Sequence, residues 1–161
     1  MTGVQVELAS LYMGSAATDC AFSPDGRFIL ACTQKATLHL FNTTSYEEMH
    51  VLHGHTLGVR ACSFTLDSSR ILACGLDTLI SVWQLDQVLG RTKHTHRPSA
   101  LLRGHSQGVR AVACNPRLPD QIASGGDDQV SNCAHVSNPR ASEQPRACEQ
   151  PPRACEQPPR T

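Results

Sequence analysis

The sequence lacks charge of a dominant sign: Lys plus Arg number 14, and so do Asp plus Glu. That balance removes the bulk electrostatic pull toward nucleic acid or an anionic membrane. Lysine itself is nearly missing. Twelve of the 14 cations are arginine, the exceptions being Lys35 and Lys93, and arginine favours the bidentate and stacked contacts of surface recognition. No apolar run approaches the roughly 20 residues that a membrane helix needs. Met1 to Ala16 also lacks the basic-then-apolar order of a signal peptide. These absences predict a cytoplasmic or nuclear protein with no nucleic acid, membrane or small-molecule substrate as partner.

No Cys-x-x-Cys pair occurs, and His53-Gly54-His55 and His94-Thr95-His96 stand without a cysteine pair nearby. The zinc reading is therefore weak, and no metal and no cofactor is expected. Of the eight cysteines, Cys20, Cys32, Cys62, Cys74 and Cys114 sit inside apolar stretches, which suits reduced thiols packed in a core. Asn42-Thr43-Thr44 matches a glycosylation acceptor, discounted without a secretory signal. The chain also shows no nucleophile elbow, no phosphate-binding glycine loop and no paired carboxylates in a plausible cleft. Asp127-Asp128 is an adjacent pair better explained by turn preference than by acid–base work. At 161 residues there is room for one ordinary domain.

What is present is an internal repeat. Cys20-Ala21-Phe22-Ser23 and Phe28-Ile29-Leu30-Ala31-Cys32 return 42 residues later as Cys62-Ser63-Phe64-Thr65 and Arg70-Ile71-Leu72-Ala73-Cys74. Phe41 falls opposite Trp83 at the same offset. A third copy opens at Leu101-Leu102-Arg103-Gly104-His105, which matches Val51-Leu52-His53-Gly54-His55 at an offset of 50. Gly-Val-Arg-Ala follows both, at 58–61 and 108–111. The extra residues fall between Gln87 and Pro98, in a polar loop. Short runs rich in Val, Ile, Leu, Phe and Thr, separated by turns such as Ser23-Pro24-Asp25-Gly26, predict strands. They are placed near 5–12, 18–23, 28–33, 36–42, 48–53, 59–64, 70–75, 79–85, 99–103, 109–114 and 121–125.

The period near 42 residues, four short strands per period, the Gly-His pair and the aromatic closing each unit resemble the WD-repeat family. Gly54-His55 followed 28 residues later by Trp83-Gln84, with Leu76-Asp77 between, is the specific match. The resemblance covers Val4 to Val130 and implies a propeller of four-stranded blades around a channel. The expected fold is all-β: a partial WD-repeat β-propeller of two to three four-stranded antiparallel blades with a disordered C-terminal tail. Repeats are placed at about 12–45, 51–86 and 101–130. Residues 131–161, with three near-identical Pro-Arg-Ala-Cys/Ser-Glu-Gln units, form the tail.

The resemblance implies a hydrogen-bonded network inside each blade. In the middle repeat it falls on His55, Asp77 and Trp83; the hydroxyl place is read as Gly75, which leaves that network incomplete. In the third it falls on His105 and Asp128, with the expected tryptophan replaced at Cys133 or Ala134. Repeat one has Gly14-Ser15 near the Gly-His place, Lys35 for the aspartate and Phe41-Asn42 for Trp-Asp, with Thr33 as a lone hydroxyl. The implied function is a non-catalytic protein–protein interaction scaffold, truncated or alternatively produced from a longer propeller. The alternatives are a fragment with little function of its own or one that interferes with its full-length relative. Expected partners are other proteins, including another propeller chain or a second copy. Arg60, Arg110 and the matching Thr18, at the starts of inner strands, are the candidate contact residues, with ordinary solvated arginines as the equal alternative. Lys93, His94, His96 and Arg97 form a second candidate surface or a flexible connector.

Overall fold

The computed structural model describes residues 10–90 and 97–136. The strands form three antiparallel sheets whose neighbours follow chain order. The first holds β1 (Ala17–Phe22), β2 (Phe28–Thr33), β3 (Thr37–Asn42) and β4 (Glu48–His53). The second holds β5 (Val59–Phe64), β6 (Arg70–Gly75), β7 (Ile80–Gln84) and β8 (Ala100–Leu102). The third holds β9 (Val109–Cys114), β10 (Gln121–Gly126) and β11 (Ser131–His135). The innermost strands β1, β5 and β9 pack side by side, so the sheets stand as successive blades. The repeat in the sequence is one strand out of phase with the sheets: each Gly-His unit opens on the outer strand of the preceding sheet.

Burial follows each sheet's position. The middle sheet is covered on both faces, so β6 (Arg-Ile-Leu-Ala-Cys-Gly) is buried throughout and reads as a continuous run rather than an alternating one. The third sheet is covered on one face, and β10 alternates between Ile122 and Ser124 inward and Ala123 outward. Leu30, Leu38, Leu40, Leu52, Val59, Phe64, Ile71 and Trp83 belong to the core between the first two sheets. Leu72, Val82, Ile122 and Val136 pack between the second and third.

Turn chemistry also repeats. In the β1–β2 turn the Ser23 hydroxyl donates to Asp25 Oδ1 (2.6 Å), and Arg27 donates to the same carboxylate from its backbone (3.1 Å) and from Nε (2.7 Å). The Ser23 bond leads in holding the Asp25 carboxyl down at about 2. Gly26 is left-handed there (φ 73°), and its counterpart Ser68 adopts the same conformation with φ 56°. The Ser68 hydroxyl accepts the Asp25 backbone N–H of the neighbouring sheet (3.1 Å), which ties the two turns together.

Three sequence expectations change. The stretch from 131, read as tail, supplies β11 and the buried Val136; β11 pairs along β10, so the third sheet gains its third strand. The motif ends at 130 because Ala134 stands where Trp83 does, and losing the aromatic does not remove the backbone ladder. Residues 137–161 lie outside the described region. Ser10 to Tyr12, part of the strand expected at 5–12, form no strand, and residues 1–9 are outside the described region. The polar loop expected from Gln87 begins instead with a short helix, α1 (Leu85–Leu89), whose Leu85 and Val88, one turn apart, are buried. The insertion residues Lys93, His94 and His96 lie outside the described region, while Arg97 is exposed.

The Gly of each Gly-Val-Arg-Ala unit sits where a neighbouring blade presses close. A Cβ at Gly58 would lie 3.0 Å from the Gln34 carbonyl oxygen, whereas at Gly108 it would first meet Leu76 Cδ2 at 3.1 Å. A backbone carbonyl cannot yield as a side-chain methyl can. Gly58→Ala should therefore cost about 1–3 kcal/mol and Gly108→Ala distinctly less; equal losses in thermal melts would contradict this packing.

Candidate functional site: buried imidazoles and the inner rim

Taking an imidazole out of water obliges both ring nitrogens to find partners. His55, in the loop between β4 and β5, is 8% exposed. Its Nδ1 lies 2.9 and 3.0 Å from the two oxygens of Asp77, in the β6–β7 turn. The same carboxylate accepts the Thr56 backbone N–H at 2.9 Å. His55 Nε2 hydrogen-bonds the Ser81 hydroxyl on β7. His105 repeats the arrangement. Its Nδ1 is 2.9 Å from Asp128 Oδ2, its Nε2 is 2.9 Å from Ser124 Oγ, and Ser106 N–H donates to Asp128 at 3.0 Å. A carboxylate only accepts, so the proton belongs on Nδ1 and the serine donates to Nε2.

The network in the middle blade is therefore complete at its hydroxyl end, against the reading that placed that hydroxyl at Gly75. Gly75 is glycine for a different reason: a Cβ would lie 3.0 Å from the Gly58 oxygen and 3.1 Å from His55 Nδ1. Gly126 is tighter still, with His105 Nδ1 at 2.8 Å. The hydroxyl comes from either of two cross-strand partners. Ser81 pairs with Ala73 across β6–β7, and Ser124 pairs with Asn132 across β10–β11. The serine thus moves to the opposite strand while the oxygen stays at the imidazole. One signal was legible: Ser81 stands two residues before Trp83.

Trp83 also departs from expectation. Its ring is 1% exposed and tilted 48° against His55 at 6.3 Å, but among the described residues its indole N–H has no hydrogen-bond partner. It acts by packing. A Cβ on Gly54 would meet it at 3.2 Å, while Gly104, beside the blade with Ala134, has only Asn132 Nδ2 at 3.6 Å.

The first blade has no counterpart to His55 and uses another relay that the sequence reading missed. His39 on β3, 7% exposed, lies at the Ser81 place. Its Nδ1 meets Glu48 Oε2 and its Nε2 meets Thr37 Oγ1, both at 3.1 Å. Thr37 in turn joins Thr33 at 2.8 Å. Thr33, expected to be a lone hydroxyl, is one end of a chain.

Ser124–His105–Asp128 has the connectivity of a hydrolytic relay. Its serine is 7% exposed, and Ser81 in the middle blade is fully buried. A nucleophile has to reach a substrate carbon; both of these hydroxyls are buried within the blades.

The profile of the family described as WD domain, G-beta repeat matches residues 8–42, 46–84 and 96–131. The chain belongs to the WD-repeat family. It is 31% identical over 117 residues to a WD repeat-containing protein WDS homolog of Arabidopsis thaliana, covering 70% of this chain and 21% of that protein. It is 28% identical over 121 residues to WD repeat-containing protein 18 of Danio rerio, covering 74% and 28%. It is 27% identical over 137 residues to GID complex subunit 7 of Schizosaccharomyces pombe, covering 83% and 25%. This WD-repeat chain thus spans about a quarter of the length of the relatives it matches.

The rim residues separate. Arg60 is exposed at the start of β5. Arg110, also exposed at the start of β9, is ion-paired through Nε with Asp127. Thr18 faces the seam: its hydroxyl lies 2.7 Å from the Val59 carbonyl of the next blade. Among the described residues no helix is long and apolar enough to cross a membrane.

Ser81→Ala should cost about 1–3 kcal/mol by leaving His55 Nε2 unpaired. Adding Ala73→Ser should recover part of that loss in denaturant titrations; no recovery would contradict the cross-strand equivalence. The His105 bond leads in holding the Asp128 carboxyl below its ordinary value. A depressed carboxyl contributes stability above its unfolded value near 4 and loses it as pH falls further. Asp128→Asn should therefore flatten the acid limb of a melting-temperature profile, and an unaltered limb would count against the pairing.

Proposed function

We propose that the chain is a non-catalytic protein–protein interaction scaffold of WD-repeat type, incomplete as a propeller and completed by association. The observation carrying this reading is the uncovered face of the third blade. Leu30 and Leu40 of the first blade are covered by the second, and Leu72 and Val82 of the second by the third; all four are fully buried. The corresponding Ala123 and Cys133, with Ala111 and Ala113 beside them, are exposed. A sheet face of small apolar residues invites another sheet. The similarity to GID complex subunit 7, by its name a component of an assembly, agrees with a binding role. The change from blade residues to Pro-Arg-Ala-Cys-Glu-Gln units after residue 136 supports a truncated or alternative product of a longer propeller. Its partner is another propeller chain or a second copy. Arg60 and Arg110 on the inner rim are the proposed contacts to an acidic partner surface.

The burial of both serine hydroxyls, away from any substrate, supports the non-catalytic reading.

Size-exclusion chromatography with light scattering on the full chain tests the proposal. The expected result is a concentration-dependent, defined oligomer that Ala123→Glu with Cys133→Glu returns to monomer while circular dichroism stays unchanged. A folded monomer at every concentration would remove the proposal.

A further inference from the structure

Three side chains from two blades converge at the inner seam. Cys32 lies on β2, Cys62 on β5 and Asp19 on β1; their two sulfurs and one carboxylate oxygen all lie within 4.8 Å of one another. Cys32 is fully buried and Cys62 is 6% exposed. Asp19 is already oriented: Oδ2 accepts the Cys62 backbone N–H and Oδ1 that of Cys20, each at 2.9 Å. Each oxygen keeps a second lone pair. Thr18 Oγ1 stands 3.2 Å from Cys32 Sγ, at the edge of the same cluster.

We propose that Cys32, Cys62 and Asp19 form a binding site for a thiophilic d10 cation of the zinc class, which pins the first blade to the second. Metal–sulfur and metal–oxygen bonds near 2.3 and 2.0 Å set tetrahedral ligand atoms about 3.8 Å apart or less. The cluster, no wider than 4.8 Å, closes by about 1 Å to reach that spacing. Two thiolates with one carboxylate select zinc or cadmium over magnesium or calcium, which prefer all-oxygen shells. Binding converts two thiols to thiolates and releases two protons per ion. The fourth position falls to the Thr18 hydroxyl or to a water entering past the half-buried Asp19. No Cys-x-x-Cys spacing announces such a site, because its ligands come from three strands of two sheets.

The test uses the full chain carrying Cys20→Ser, Cys133→Ser, Cys148→Ser and Cys155→Ser, which removes exposed and tail thiols. Cadmium titration should give one ion per chain with a thiolate charge-transfer band, and zinc should raise the melting temperature. X-ray absorption of the zinc form should show two sulfur neighbours. Cys62→Ser should weaken binding beyond the roughly 10–100-fold cost of losing a supporting residue outside the ligand shell. Asp19→Asn, which preserves shape, should weaken it while circular dichroism stays unchanged. Absence of metal uptake, fewer than two sulfurs at zinc, or unchanged affinity in Cys62→Ser would each overturn the proposal. If Cys62→Ser fails to fold, the sulfur count in the parent still decides.

Discussion

A buried imidazole whose two nitrogens must both stay hydrogen-bonded is the constraint on which each complete repeat turns. His55 and His105 stand in loops that leave one sheet and enter the next. Their carboxylate partners stand in the turns that follow the next strand pair, which the antiparallel hairpin brings back beside the same loop. Fixing the ring therefore fixes a loop against a turn, and so fixes how one blade meets its neighbour. The constraint dictates glycine at 75 and 126, where any side chain would run into the ring. It also places the carboxylate in a turn whose following residue is left-handed, Thr78 at φ 67° and Gln129 at φ 63°. The network tolerates loss of its aromatic, as Ala134 shows. It keeps the hydroxyl even when that hydroxyl changes strands.

Much of this was legible in the sequence. Strand placement followed from a repeat 42 residues long, and the pairing of His55 with Asp77 and of His105 with Asp128 followed from the family resemblance. The hydroxyl did not, because a linear repeat aligns residues along strands while the network selects oxygens by position across them. Ser81 and Ser124 are unrelated in the repeat yet present the same atom to the same nitrogen. The β11 strand escaped for a related reason: its sequence is poor in apolar residues, and what orders it is pairing to β10. The five-residue α1 was hidden because it spans little more than one turn. The His39 relay was unreadable because it substitutes for the network at a different place.

The three blades differ in what they ask of their surroundings. The middle one is buried on both faces and carries the strand that is buried throughout. The third offers alanine and cysteine where the others offer leucine and valine. A WD-repeat chain spanning about a quarter of its relatives' length thus combines hydrogen-bonded internal joints with an exposed face on its third blade. That contrast sets the hydrogen-bonded joints of the blade interior beside an exposed face of small residues on the third blade.

Nitrogen-15 NMR of the histidine side chains tests the central claim most directly. If each imidazole is clamped between an accepting carboxylate and a donating hydroxyl, His55 and His105 will carry their proton on Nδ1 at neutral pH, with slow solvent exchange. A proton on Nε2 alone, or rapid exchange at both rings, would contradict the account.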